Sequence, residues 1–140
     1  MLVALGGRGL LSRDTTCSVG TKAIINIMEK TGVSKISVCS SFGVGPGNRA
    51  LIPWILRVIL YNALADKDVQ EDHIIKSNLD YTIVRPPQLV DDAPKGNIQA
   101  VFEGALPTMK ISRADVASFM LSSLFEEKYS KKAVSISWSP

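Results

Sequence analysis

The sequence predicts an α/β fold built on a parallel sheet, and three observations carry that expectation. Lys35–Gly43, KISVCSSFG, reads as a buried strand in which Ile36 and Val38 lead to two serines and a glycine at the carboxyl tip. The stretch Lys30–Val38 is echoed by Lys76–Val84: a helix end, a Gly or Asn left-handed cap, an apolar residue, then a strand. Two consecutive helix-to-strand returns imply right-handed crossovers and parallel strands. Finally, Leu2–Leu5 is apolar throughout, which suits a strand of the sheet interior.

The 140 residues fit one domain, residues 1–140, large enough to bury a core. Apolar residues at 46% and charged residues at 21% describe a globular chain. A net charge of +3 without a Lys/Arg run argues against nucleic acid as a partner. Lys128, Lys131 and Lys132 read as a solvated helix end. Met1–Leu5 is too short for a signal segment or a membrane span, so no membrane partner is expected. Cys17 and Cys39 have no metal-ligand spacing, and reduced, buried thiols of a cytoplasmic protein are expected.

In chain order, the first strand is followed by Gly6-Gly7-Arg8-Gly9, and Thr15 or Thr16 can cap a helix running to about Lys30. Cys17, Gly20, Ile24 and Met28 give that helix an apolar face, and Gly20 permits close approach to the sheet. Gly32 ends it in the left-handed conformation, with apolar Val33 after it. After the strand Lys35–Ser40 comes a glycine-rich loop, FGVGPGNR. Leu51–Tyr61 reads as a lid or packing helix, with a dimer surface as the alternative. A further helix, about Leu64–Ser77, carries Lys67/Glu71 and Asp72/Lys76 pairs on its wet side. The strand Tyr81–Arg85 stops at Pro86-Pro87. Gln88–Lys110 reads as long and irregular, with a short strand near Ile98–Phe102. Ser112-x-x-Asp115 opens a helix in the manner of a capping box, its inner stripe being Val116, Met120, Ser123 and Leu124. Ala133–Trp138 is the closing strand.

Ligands of open α/β sheets bind outside the carboxyl ends of strands, which draws attention to Ser40 and Ser41. Side chains alternate along a strand, so one serine can face a crevice while the other satisfies itself on the backbone. The alternative is that the serines only terminate the strand. Gly6-Gly7-Arg8-Gly9 could bring backbone N–H groups and Arg8 near a phosphate, but it lacks the G-x-G-x-x-G spacing. No acidic residue ends a second strand, as ribose recognition would require. His73, the single histidine, reads as structural, with no metal site around it. Arg85 either binds an anion or pairs with Asp91 or Asp92.

The segments VALGGRG, TTCSVGTKAIINIMEKTGVSKISVCSS, SNLDYTIVRPP and ISRADVASFML occur in order over essentially the whole chain. They resemble the NAD(P)-binding, atypical short-chain dehydrogenase/reductases, most of all the flavin reductase or biliverdin-IXβ reductase family. The resemblance implies the C-terminal part of a Rossmann-like, doubly wound parallel sheet. It implies NADP(H) or NAD(H) as cofactor, with FMN or another flavin as substrate rather than bound cofactor. The implied activity is hydride transfer to a flavin, biliverdin or related planar acceptor. The alternative is a non-catalytic NAD(P)-binding sensor or interaction module.

By position, the resemblance places Leu5, Gly6, Gly7 and Arg8 along the dinucleotide and Ser41 beside the nicotinamide as the catalytic residue, with Ser40 preceding it. Arg85, Pro86 and Pro87 would form a wall of the cofactor site. Gln88 stands where biliverdin reductase has a histidine, so acid–base roles proposed there do not carry over. Of the Tyr-x-x-x-Lys pair of ordinary short-chain dehydrogenases, Lys67 matches the lysine while Ala63 occupies the tyrosine position. The family's first third, with its glycine-rich pyrophosphate loop, has no counterpart here, which suggests N-terminal truncation. A small-molecule acceptor is the expected partner. The full-length family is expected to be monomeric, and this chain is expected to be poorly soluble or self-associating and to bind NADPH no better than millimolar, about −4 kcal/mol.

Overall fold

The structure, a computed structural model, describes residues 1–7, 14–45, 55, 58 and 60–140. The elements in order are β1 (Leu2–Val3), α1 (Thr16–Thr31), β2 (Lys35–Cys39), α2 (Tyr61–Ile75), β3 (Asp80–Arg85), β4 (Gln88–Val90), β5 (Ile98–Val101), β6 (Lys110–Ser112), α3 (Arg113–Ser123) and β7 (Lys132–Trp138), with a 3₁₀ turn at Glu127–Tyr129. The main sheet has the order β1-β2-β3-β7-β5, and β4 and β6 form a separate two-stranded ribbon. β1, β2, β3 and β7 run parallel, Val38 lying between Val3 and Ile83, while β5 is antiparallel to β7.

Alternation along the strands divides the core between two faces of the sheet. Val3, Ile36, Val38 and Ile83 pack with Ile25 and Met28 of α1 and Ile74 of α2. Val84, Val134, Ile136 and Trp138 pack on the other face with Val116, Phe119 and Met120 of α3. Each such buried side chain stabilises the fold by about 1.5–3 kcal/mol. Helices on both faces of a mostly parallel sheet make a doubly wound, Rossmann-like fold, as expected.

The helix-to-strand returns hold, although only one uses the expected cap. Gly32 is left-handed (φ 75°), and the amides of Gly32 and Val33 both donate to Met28 O. The second return is different, because among the described residues Lys131 is the only non-glycine with positive φ, so Asn78 is not left-handed. There Ser77 Oγ donates to Ile74 O at 2.7 Å and accepts from Leu79 N at 3.3 Å. A serine side chain thus does the work assigned to the cap.

Gly20 does allow a close approach, since a Cβ there would lie 2.8 Å from Leu5 Cδ1. The buried stripe of α1 is Cys17, Ser18, Thr21, Ile25 and Met28, rotated slightly from the expected one because α1 packs on α2 as well as on the sheet. Gln88–Lys110 is less irregular than its composition implies: it holds β4 and β5, and Lys110 opens β6. The lysines near the C-terminus lie on the 3₁₀ turn and at the start of β7, not at a helix end. Of the expected helix Leu51–Tyr61, Ile55 and Val58 are helical and exposed; Trp54 and Ile59 lie outside the described residues, as does Arg8. No helix among the described residues is long and apolar enough to cross a membrane.

Candidate functional site

A cleft of about 530 Å³ opens at the carboxyl ends of β1 and β2. Its floor is Leu5, Gly6 and Gly7 after β1, and Cys39, Ser40 and Ser41 at the tip of β2. Leu60, Ala63, Leu64 and Lys67 close one side, and Leu89 of β4 with Arg113 of α3 close another. This size suits one small molecule or part of a larger one.

Lys67 organises the floor. Its Nζ donates to Leu5 O at 2.9 Å and to Cys39 O at 2.8 Å. The ammonium therefore joins the tips of two strands through carbonyls that have run out of ladder partners. The expected Lys67/Glu71 pair on the wet side does not form, because both side chains face inward. Glu71 is buried and receives Arg85 Nε at 3.0 Å, Arg85 Nη2 at 2.5 Å and Ser40 Oγ at 2.5 Å. The companion Asp72/Lys76 pair does lie in water, at 2.6 Å.

The two serines at the β2 tip separate much as strand alternation requires. Ser40 is buried, its hydroxyl committed to Glu71 and its amide to Val84 O. Ser41 is half-buried, and among the described residues its hydroxyl donates to Phe42 O over a long 3.3 Å, a bond that a ligand's acceptor can replace. Arg85 takes neither of its expected partners. Its guanidinium is gripped by Glu71, and it packs so closely on Gly45 (φ 82°) that a Cβ there would meet Nη2 at 2.8 Å. Arg85, Pro86 and Pro87 are not among the residues lining the cleft. Glu71, a buried carboxylate that holds the partly buried guanidinium through two nitrogens, outcompetes exposed Asp91 or Asp92.

The first turn of α1 is already filled with carboxylate. Asp66, on α2, accepts from Cys17 N at 2.9 Å and Ser18 N at 3.1 Å, and Asp14 accepts from Thr16 N at 2.8 Å. Thr15 caps nothing with its side chain. The amides that would receive a phosphate at this helix are therefore taken. What this region offers the cleft is Leu5, Gly6 and Gly7, with open space above the Gly6 Cα.

Both cysteines are free and line the cleft. Burial pushes each thiol up from its ordinary value, against the pull of the Lys67 charge, so both are neutral near pH 7. Among the described residues no cluster of His, Cys, Asp and Glu could hold a metal. Two carboxylates, Asp14 and Asp66, and two cations, Lys67 and Arg113, stand among the described lining residues.

The sequence profile of the NAD(P)H-binding family matches residues 1–127 of this chain. The chain belongs to the NAD(P)H-binding family. This bears out the resemblance to atypical short-chain dehydrogenase/reductases. An uncharacterized chloroplastic protein of Arabidopsis thaliana is 36% identical over 120 residues, covering 84% of this chain and 43% of that protein. The anaerobillin reductase ChuY from Escherichia coli superposes with a TM-score of 0.81 at 23% identity, over 99% of this chain and 64% of that one. A short-chain dehydrogenase/reductase from Veillonella parvula, solved in complex with NADP, gives a TM-score of 0.78 at 18% identity, over 99% and 62%. At these identities the two structures establish the fold. The chain spans less than half of its Arabidopsis relative and under two thirds of each of these structures.

Asp66, Lys67 and Arg113 are among the lining residues that the sequence reading does not assign to the site. For Lys67 the signal was present, since it matches the lysine of Tyr-x-x-x-Lys; Ala63, at the tyrosine position, lines the cleft beside it. Arg113 directly follows β6, a strand of the separate two-stranded ribbon, so the rule for the main sheet's strand tips does not point to it. Nothing local marks Asp66.

Proposed function

We propose that this chain supplies the nicotinamide end of the site of an NAD(P)H-dependent reductase whose acceptor is a flavin, biliverdin or related planar molecule. The observation that carries this reading is Ser41 at the β2 tip, lining a cleft of about 530 Å³ in an NAD(P)H-binding chain, its hydroxyl held by a long 3.3 Å bond to Phe42 O that a ligand can replace. The residues present suit the nicotinamide and ribose better than the pyrophosphate, because Asp14 and Asp66 occupy the amides of the α1 first turn. NADP(H) or NAD(H), when bound, supplies the hydride.

The chain's own residues do the rest. Ser41 would hold the nicotinamide by hydrogen bonding, in the cleft whose floor Leu5 and Gly6 help to form. Lys67 keeps the floor from spreading by holding the Leu5 and Cys39 carbonyls. Leu60, Leu64 and Leu89 exclude water from the reacting faces. The acceptor's proton comes from solvent, since Ala63 provides no phenol and both thiols hold their protons. The free thiols fit a reducing compartment, the cytoplasm or, as for the chloroplastic Arabidopsis relative, the chloroplast.

The absence of a phenol at Ala63 favours a second reading, a sensor that binds NAD(P)H without turnover. Absorbance at the NADPH band, followed with FMN as acceptor, separates the two. The reductase reading expects oxidation that Ser41→Ala slows at least tenfold, a loss of about 1.4 kcal/mol of transition-state stabilisation. Binding of NADPH by calorimetry without any oxidation would leave the sensor.

A further inference from the structure

Arg113 stands on the cleft for a reason that register makes plain. β4 and β6 pair in parallel, Leu89 with Ile111 and Val90 with Ser112, so the next residues of the two strands, Asp91 and Arg113, emerge side by side. Arg113 Nη1 donates to Asp91 Oδ1 at 2.6 Å. The Asp91 side chain is 87% exposed and the Arg113 side chain 56% exposed, so the pair is solvated and contributes little to stability. Little is lost when Arg113 exchanges this partner for another anion.

The ribbon that carries Arg113 is firmly held. Asp115, in the first turn of α3, is buried and accepts from Lys95 N and Gly96 N at 3.0 Å, from Ser112 Oγ at 2.8 Å and from Trp138 Nε1 at 2.7 Å. Lys67, the other described cation of the cleft, is tied to two carbonyls on the floor. Arg113 is thus a solvated guanidinium on a firmly held base, lining the cleft together with apolar Leu89. Its planar fork matches an oxyanion bidentately.

We propose that Arg113 selects acceptors with an anionic tail, carboxylate or phosphate, releasing Asp91 to bind it while the planar body lies against Leu89. This rests on the reductase reading for the word acceptor, but its test reads binding alone. The full chain is titrated with FMN and with riboflavin, which differ by the phosphate, and with biliverdin and its dimethyl ester, which differ by the carboxylates. NADP⁺ is present throughout, so no turnover occurs. The expected result is that the anionic member of at least one pair binds about tenfold more tightly than its neutral counterpart. The pair that shows the preference identifies the tail.

Arg113→Ala should abolish that preference and leave the neutral member's affinity in place. Arg113→Lys should keep part of it, and Asp91→Asn should strengthen the anionic member by freeing the guanidinium. Equal binding within both pairs, no binding by any of the four, or equal loss for both members in Arg113→Ala would overturn the proposal. A preference that depends on Arg113 in a chain that never oxidises NADPH would leave the proposal standing and remove the reductase reading. NADPH oxidation indifferent to the tail would do the reverse.

Discussion

Helix α2 carries two oppositely charged pairs at the same i,i+4 spacing, and they meet opposite fates. Lys67 and Glu71 turn inward, where they ignore each other: the lysine binds Leu5 O and Cys39 O, and the glutamate binds Arg85 and Ser40. Asp72 and Lys76 turn outward and pair at 2.6 Å with side chains 53% and 71% exposed. Spacing along a helix states which residues are neighbours. It does not state what competes for them, and here the strand tips offer Lys67 and Glu71 better partners than each other. The inner pair shapes the cleft, whereas the outer pair decorates the surface.

The largest expected effect tests the inner half. Glu71→Ala removes both hydrogen bonds of Arg85, whose side chain is only 14% exposed, and the acceptor of buried Ser40. An uncompensated charge in that place costs roughly 3–5 kcal/mol. Urea unfolding should show the loss, and Glu71→Gln should recover part of it by keeping an acceptor for Ser40. A midpoint unchanged in Glu71→Ala would put the two halves of α2 on an equal footing and remove the distinction.

Asp115 extends the contrast to the other face of the sheet, and to pH. Burial pushes its carboxyl up, but the hydrogen bonds from Trp138 Nε1, Lys95 N, Ser112 Oγ and Gly96 N outweigh that and lower it from 3.8 to about 2. A carboxyl depressed by folding contributes stability that is complete above its unfolded value, near pH 4, and is lost as pH falls toward 2. The contribution is about 2 kcal/mol. Unfolding free energy measured from pH 5 down to pH 2 should fall accordingly, and Asp115→Asn should flatten that acid limb. An acid limb identical in the two proteins would show that other carboxyls set it.

Asp66 gives the next effect in size. Its replacement by Ala leaves Cys17 N and Ser18 N without acceptors at a buried helix start, at roughly 1–2 kcal/mol. Amide exchange should accelerate at those two positions before it does at Met28, in the same helix.

The two helix starts also explain what was legible in the sequence. At α3 the cap is local: Ser112 Oγ accepts from Asp115 N at 3.0 Å, as the Ser-x-x-Asp spacing announces. The rest of Asp115's work was not announced, because its carboxylate turns to a loop and to Trp138 instead of reaching back to Ser112 N. At α1 the decisive carboxylate, Asp66, comes from 48 residues away, and no local pattern holds that information. β2, β3 and β7 were readable because an apolar run between turn signals has few other places to go. The cleft was readable at Ser40, Ser41 and Leu5–Gly7, which lie at strand tips. Arg85 was visible as a charge, but its partner depended on the rotational phase of α2. The strands β4 and β6 were missed because three residues carry too little periodicity to register.

The smallest expected effect sharpens the comparison most, because it concerns the pair that looks better on distance alone. Asp72 and Lys76 approach at 2.6 Å, yet both side chains are more than half exposed. Water screens their attraction, and holding two flexible chains together costs rotamer freedom, so such a pair contributes about 0.3–0.5 kcal/mol. Asp72 also sits in the last turn of α2, which ends at Ile75, where the carbonyl end of the helix disfavours an anion by a similar amount. The two contributions oppose each other. Asp72→Asn should therefore shift the unfolding free energy by less than about 0.5 kcal/mol in either direction. The shift should shrink further in high salt, which screens both contributions. A loss above 1 kcal/mol, unaffected by salt, would mean that the outer end of α2 is anchored as firmly as the inner end.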